Sequence, residues 1–365
     1  MKKITFLLLT ILLVSITTQA GLKRVGFTGA QLAGIDYTTL QLAHDAATTL
    51  AGDTIQVYPS ITGSGFTQTK KLIIIGIGYY TAGTGLNANL NSITTGTPID
   101  IGNIYYTSAS TGVAGSEYQG LRVGCVIQGS VAALVNNISF LRCDFVGFNG
   151  VSSPAGNLSN LKFRQCINIG NVSFIFNSVT LSGCVIENSI LSLNHFMSAA
   201  GSWAIGSTCY FKNCSYVLNL SSGGAFSFGN YSCLAENCIF QSNSFSNYAN
   251  TTFNNCFLSR SGLTALSPAV TGSGNIFTND ADAGNVFVGY PTQGSFSNDG
   301  KWVLKAGSPA IGFGTGGVDN GIYGGATPYK LSGIPATPAF YKLSAPSTNA
   351  ISNPYQITFS VRSNN

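Results

Sequence analysis

Twelve acidic residues are all that glycosidic-bond chemistry could draw on in this chain of 365 residues. Hydrolysis by paired carboxylates needs two of them about 5–9.5 Å apart, one acting as acid and the other as base or nucleophile. The middle of the chain offers Asp100, Glu117, Asp144, Glu187 and Glu236. On the repeat described below, Asp144 and Glu187 read as outward-facing but two coils apart, on the order of 10 Å along the axis. Glu236 reads as two coils further on, at a different position in its coil. Glu117 and Asp144, on neighbouring turns, are the one pair that could approach. The expectation is therefore a chain with no catalytic residues.

Binding chemistry is better supplied. Lys162 and Arg164 share one predicted strand, with Arg142 and Lys212 at nearby positions of other coils. Together they read as a weakly basic strip suited to an anionic glycan, against the plainer reading of a solvated face. His195, Phe196 and Trp203 fall in an apparent insertion between Leu191 and Ser207, and aromatic side chains there could stack on sugar rings. Asp280 and Asp282 invite a calcium reading. Their spacing lacks the later glutamate of a calcium-binding helix–loop–helix, so a structural turn is favoured and no cofactor is expected.

These residues must be positioned by a repeat with cysteine as its landmark. It reads Ile138-Ser-Phe140-Leu-Arg-Cys143, Leu161-Lys-Phe163-Arg-Gln-Cys166 and Val179-Thr-Leu181-Ser-Gly-Cys184. It continues as Cys209-Tyr-Phe211-Lys-Asn-Cys214, Cys233-Leu-Ala235-Glu-Asn-Cys238 and Thr251-Thr-Phe253-Asn-Asn-Cys256, with a weaker copy at Cys125. The landmark spacings are 18, 23, 18, 30, 24 and 18 residues. Apolar residues alternate with polar ones, as in a strand with one buried face. A period near twenty, with Asn and Gly at the corners and no helical period, predicts a parallel β-helix solenoid. Asn213, Asn237 and Asn255 would stack as a ladder at one corner. The landmark cysteines would stack inward as unpaired thiols, because parallel side chains are poorly placed to bridge.

The repeated phrase resembles the right-handed parallel β-helix superfamily, the pectin-lyase-like fold, and more narrowly the secreted β-helix proteins of Bacteroidota. Leu40 through Pro59, with Gly52-Asp-Thr-Ile-Gln-Val-Tyr-Pro59, resembles that superfamily's N-terminal cap. This implies a capping helix over about residues 38–50, with Thr38 and Gln41 as a capping box. Lys305-Ala-Gly-Ser-Pro-Ala-Ile-Gly312 through Gly325 resembles its closing coil. Enzymes on this fold act as polysaccharide lyases or hydrolases, and the resemblance implies the fold rather than an active site. The Gly-His-Gly motif of the polygalacturonase branch is absent from the chain.

The ends complete the reading. Lys2 and Lys3 precede an apolar run from Ile4 to Ile16, and Thr18-Gln-Ala20 supplies small residues, so residues 1–20 read as a signal peptide. Residues 21–335 form the expected β-helix and 336–365 a short β tail. No apolar run is long enough to predict a membrane span. Charged residues make up only 8% of the chain and the net charge is +5, too sparse for a nucleic-acid surface. The expected protein is exported, extracellular or cell-surface, and non-catalytic. Its expected role is glycan-binding, adhesive or structural, its partner being a polysaccharide or a cell-surface glycan. The alternative is a polysaccharide lyase acting on an acidic polysaccharide.

Overall fold

The computed structural model describes residues 20–26, 34–58, 63–79, 100–128, 134–151, 156–167, 174–175, 179–191, 208–217, 225–227, 232–241, 244–246, 250–259, 271–278, 285–290, 296–336, 339–344 and 357–362. Parallel β-sheet dominates these residues. The largest sheet has ten strands, in the order Leu22–Val25, Thr54–Val57, Ile73–Ile75, Glu117–Gln119, Ser139–Leu141, Lys162–Arg164, Cys184–Glu187, Thr208–Lys212, Ser232–Glu236 and Thr251–Asn254. Each strand pairs in parallel with the next, so every rung is one excursion of the chain later. That pattern fits a parallel β-solenoid.

Alternation explains why these short strands stack. The middle residue of each rung points inward, giving the buried row Ile55, Ile74, Tyr118, Phe140, Phe163, Ile186, Phe211, Ala235 and Phe253. The rings of Tyr118, Phe140 and Phe163 stack with centroids 4.9 and 5.2 Å apart. Truncating such a ring leaves a cavity that costs about 3–5 kcal/mol.

From Glu117–Gln119 onward, the chain turns at the end of each rung through a left-handed residue. In register these are Gly120, Arg142, Gln165, Asn188, Asn213, Asn237, Asn255 and Gly274, all with φ between 45 and 71°. Asparagine tolerates this region better than other non-glycine residues, which accounts for the predicted ladder and extends it to Asn188. Beyond the corner the chain enters one of two five-stranded parallel sheets. The first contains Phe66–Thr67, Asp100–Tyr106, Arg122–Gln128, Asp144–Val151 and Phe174–Ile175. The second contains Ile190–Leu191, Ser215–Val217, Ile239–Gln241, Phe257–Ser259 and Ile276–Thr278.

The residue just past the corner has a specific task. Its N–H has left the strand ladder, and the side chain one rung on accepts it: Cys143 N to Cys166 Sγ, Cys166 N to Ser189 Oγ, Cys214 N to Cys238 Sγ and Cys256 N to Asn275 Oδ1. The same side chains donate to backbone carbonyls, as Cys166 Sγ does to Phe140 O and Arg164 O. The landmark row is therefore Cys143, Cys166, Ser189, Cys214, Cys238, Cys256 and Asn275. Cys184 is not in it. Cys184 begins its strand and pairs with Cys209, which pairs with Cys233, so it belongs to a separate thiol row. With Ser189 restored, the spacings become 23, 23, 25, 24, 18 and 19 residues. The thirty-residue interval on which the expected insertion rested is thus replaced by one of 25, and residues 192–207 lie outside the described residues. All nine cysteines are buried and unpaired.

The helix is shorter than expected, Leu40–Asp45, and its N-cap is Thr39 rather than Thr38: Thr39 Oγ1 accepts from Leu42 N at 3.1 Å. Gln41 Oε1 and His44 Nε2 accept the backbone N–H groups of Thr67 and Thr69 at 2.8 and 3.0 Å. Those donors lie in and just after an edge strand of a five-stranded sheet, and edge strands otherwise offer unpaired groups to other chains.

Residues 310–335 do not form a closing coil. They run back across the rungs along the left-handed corner. Asn320 Nδ2 donates to Asn255 O (2.7 Å), and Gly321 N to Asn237 O (2.8 Å). Asn188 Nδ2 donates to Ile322 O and Gly324 O (3.0 and 2.7 Å), and Gln165 Nε2 to Thr327 O and Pro328 O (3.1 and 2.7 Å). Arg142 Nη1 donates to Ile334 O at 2.6 Å, and Tyr79 N to Ser332 O at 2.8 Å. A Cβ on Gly321 (φ 80°) would stand 2.6 Å from Ser215 Oγ, so the close approach requires glycine there. The tail is an antiparallel hairpin of Ala339–Ser344 and Thr358–Arg362.

Candidate functional site

The outward rows of the ten-stranded sheet carry Lys162, Arg164 and Lys212, three of the seven predicted binding residues. One row reads Leu141, Arg164, Glu187, Lys212, Glu236, Asn254 in successive rungs. Arg164 Nε lies 2.8 Å from Glu187 Oε2, and Tyr210 Oη donates to Glu236 Oε2 at 3.0 Å. Lys212 occupies the rung between the two glutamates. Lys162, in the neighbouring row, is exposed beside Ser139 and Val185. The expected basic strip is thus interleaved with acid. Its four charges in that row, Arg164, Glu187, Lys212 and Glu236, sum to zero.

Arg142 is not part of the strip. Its position at the corner turns its side chain along the ladder, where it is 5% exposed beneath residues 310–335. Nε donates to Gln165 Oε1 at 2.7 Å. Burial holds the guanidinium below its usual range, with the hydroxyl of Tyr79 opposing that shift. His195, Phe196 and Trp203, and likewise Asp280 and Asp282, lie outside the described residues.

The acids also differ from their expected places. Glu187 and Glu236 share one row rather than different positions, about 9.6 Å apart along the axis at two rungs of 4.8 Å, with Lys212 between them. Asp144 is buried rather than outward. It lies past the corner in a five-stranded sheet, on the side of Arg122 opposite to Asp100. Arg122 Nε is 3.6 Å from Asp100 Oδ2 and 3.8 Å from Asp144 Oδ2. Sequence reading missed this trio because β-bulges after Asp100 and Val123 shift the register of these strands. Glu117, the other half of the expected close pair, stands exposed in the ten-stranded sheet between Ile73 and Ser139.

Four other described acids serve the backbone, while Asp45 meets the side chains of Gln41 and His44. Asp53 accepts from Gly21 N and Leu50 N, and Asp36 from Arg24 N. Asp319 accepts from Gly312 N, and Asp299, fully buried, from Gly300 N and Ser332 N. Among the described residues no group of three or more His, Cys, Asp or Glu could hold a metal ion. An open cleft of about 440 Å³ at the last rungs is lined by Phe257, Ile276, Thr278, Asn285, Lys305 and Pro309, with no carboxylate in its lining among the described residues.

No family model, curated protein or solved structure matches this chain. Its reading therefore rests on its own residues. No helix among the described residues is long and apolar enough to cross a membrane.

Proposed function

We propose that this chain is an exported right-handed parallel β-helix that acts without catalysis, as a glycan-binding, adhesive or structural module. The handedness follows from a general rule: strand–crossover–parallel strand connections are right-handed in about 98% of cases. Closing of the early rungs by the Leu40–Asp45 helix is part of the same reading, supported by the Gln41 and His44 bonds to Thr67 and Thr69.

The observation that carries the non-catalytic reading is the engagement of the carboxylates. Glu187 pairs with Arg164, Glu236 accepts from Tyr210, and Asp144 is buried against Arg122. A general acid or nucleophile must instead face the substrate bond. The exposed, charge-alternating face with Tyr210 and Lys162 suits weak contact with a polar polymer. Affinity electrophoresis through gels containing pectate, alginate or a glycosaminoglycan tests binding. Retarded migration supports the glycan-binding form of the proposal. Unretarded migration in every gel removes it and leaves the structural form.

The lyase alternative retains one specific observation, Arg122 set between Asp100 and Asp144. There the buried Asp144 and the half-exposed Arg122 and Asp100 are the residues that a lyase would have to use.

A further inference from the structure

We infer that residues 320–335 are a detachable strap, which the stack's corner holds as it would an extended peptide ligand, with Arg142 as the latch. The contacts themselves carry the inference. Strap residues contribute no strand to any sheet. They are held rung by rung through corner side chains that meet backbone carbonyls: Asn188 at Ile322 and Gly324, Gln165 at Thr327 and Pro328, Arg142 at Ile334. The acceptors for these corner donors exist only once the strap has docked, whereas the rungs complete their own ladder without it.

The apolar anchorage is a satellite cluster separate from the main core: Ile322 and Tyr329 join Tyr79, Ile167 and Ile190, with Tyr323, Leu331 and Trp302 packed against them. Asp299 adds a buried anchor, accepting from Ser332 N at 2.6 Å and from Tyr329 Oη at 3.3 Å. A segment packed on a cluster outside the main core and tied to it mostly by side-chain-mediated bonds belongs to the lower-stability end of a structure and opens before the core does.

Arg142 is the latch because it is the least comfortable residue in the row. It takes a left-handed φ of 54° without being Gly, Asn or Asp, and its charge is buried only while the strap covers it. Ile334 O and Gln165 Oε1, both among its partners, tie the strap's far end to two rungs at once. Opening would expose a further cation at the corner beside the charge-alternating face that carries Lys162 and Arg164. That consequence rests on the glycan-binding reading, but the strap itself does not.

Hydrogen exchange of the full-length protein, read at single amides, tests the strap directly. The amides of Gly321, Tyr329 and Ser332 should exchange at least about a hundredfold faster than those of Lys162, Val185 and Ile190, which sit in the rung ladder. Arg142→Asn keeps a residue at ease in the left-handed region but cannot reach Ile334. It should speed exchange at Ser332 and Gly333 by about tenfold or more while leaving Val185 unchanged. Equal exchange of strap and ladder amides in the unsubstituted protein overturns the inference. So does a substitution that speeds both by the same factor. Should Arg142→Asn fail to fold, Asn188→Gly removes the bonds to Ile322 and Gly324, and the same comparison applies.

Discussion

Arg164 and Glu187 face each other across adjacent rungs with Nε and Oε2 2.8 Å apart, and this pair turns an expected binding residue into half of a neutral ladder. Their side chains are 52% and 22% exposed, so the pair contributes no more than about 0.2–1 kcal/mol to stability. Its larger effect is on surface potential. Glu187→Gln should leave the melting temperature within a few degrees of the parent's while increasing retardation in gels of anionic polysaccharide. Unchanged retardation would show that Arg164 and Lys212 take no part in binding.

Ser189 stands where six other rungs carry cysteine or asparagine, accepting from Cys166 N at 3.1 Å and donating to Glu187 O at 2.7 Å. Ser189→Cys should therefore fold with stability within about 1 kcal/mol of the parent. Ser189→Ala strands a buried N–H and should cost about 1–3 kcal/mol, read from urea midpoints at constant slope. A harmless alanine would refute the role assigned to this row.

The same position shows how far the fold could be read from sequence. Inward apolar residues at every second site marked the rungs, and Phe140, Phe163, Phe211 and Phe253 all stack as that pattern implies. Cysteine was a poor register mark, because its task past the corner can be met by any small side chain that accepts and donates. Asn188-Ser189 follows Cys184-Val-Ile186-Glu just as Asn213-Cys214 follows Cys209-Tyr-Phe211-Lys, and the asparagine was the surer signal. The burial of Arg142 and the path of residues 310–335 left no periodic trace. They depend on side-chain bonds to backbone groups up to 192 residues away, which no local pattern encodes.

A second corner, at the start of the rungs, offers a clean test of backbone geometry. Asn137 and Asn160 lie at φ 54 and 55°, with Asn160 Nδ2 donating to Asn137 Oδ1 at 3.0 Å. Asn160 is exposed, so burial adds little to its substitution. Asn160→Gly should be nearly neutral, and Asn160→Val should cost about 1–2 kcal/mol for forcing a β-branched residue into the left-handed region. Equal losses from both would mean that the hydrogen bond, not the dihedral, matters.

Thiol chemistry should follow burial. Burial pushes the thiols of Cys143, Cys214 and Cys256 up from their ordinary range, with neighbouring thiols adding to it. The folded state thus holds these protons more tightly than the unfolded chain does. Their contribution is complete below the unfolded thiol value of about 8.5 and is lost as pH rises above it. Native protein should resist thiol reagents at neutral pH, denatured unreduced protein should titrate close to nine thiols, and melting temperature should fall above pH about 8.5. Recovery of one thiol or none after denaturation would contradict the unpaired rows.

On the proposed reading, the carboxylates of the stack are bonded within the fold or, like the exposed Glu117, set apart from a second acid, and none is poised for glycosidic-bond cleavage. Incubation of purified protein with pectate, alginate and glycosaminoglycans, with and without calcium, measures this most directly. The expected result is no release of unsaturated or reducing ends from any of them. Release that Asp144→Asn or Glu117→Gln abolishes would contradict it and place the chemistry at Asp144 beside Arg122, or at Glu117.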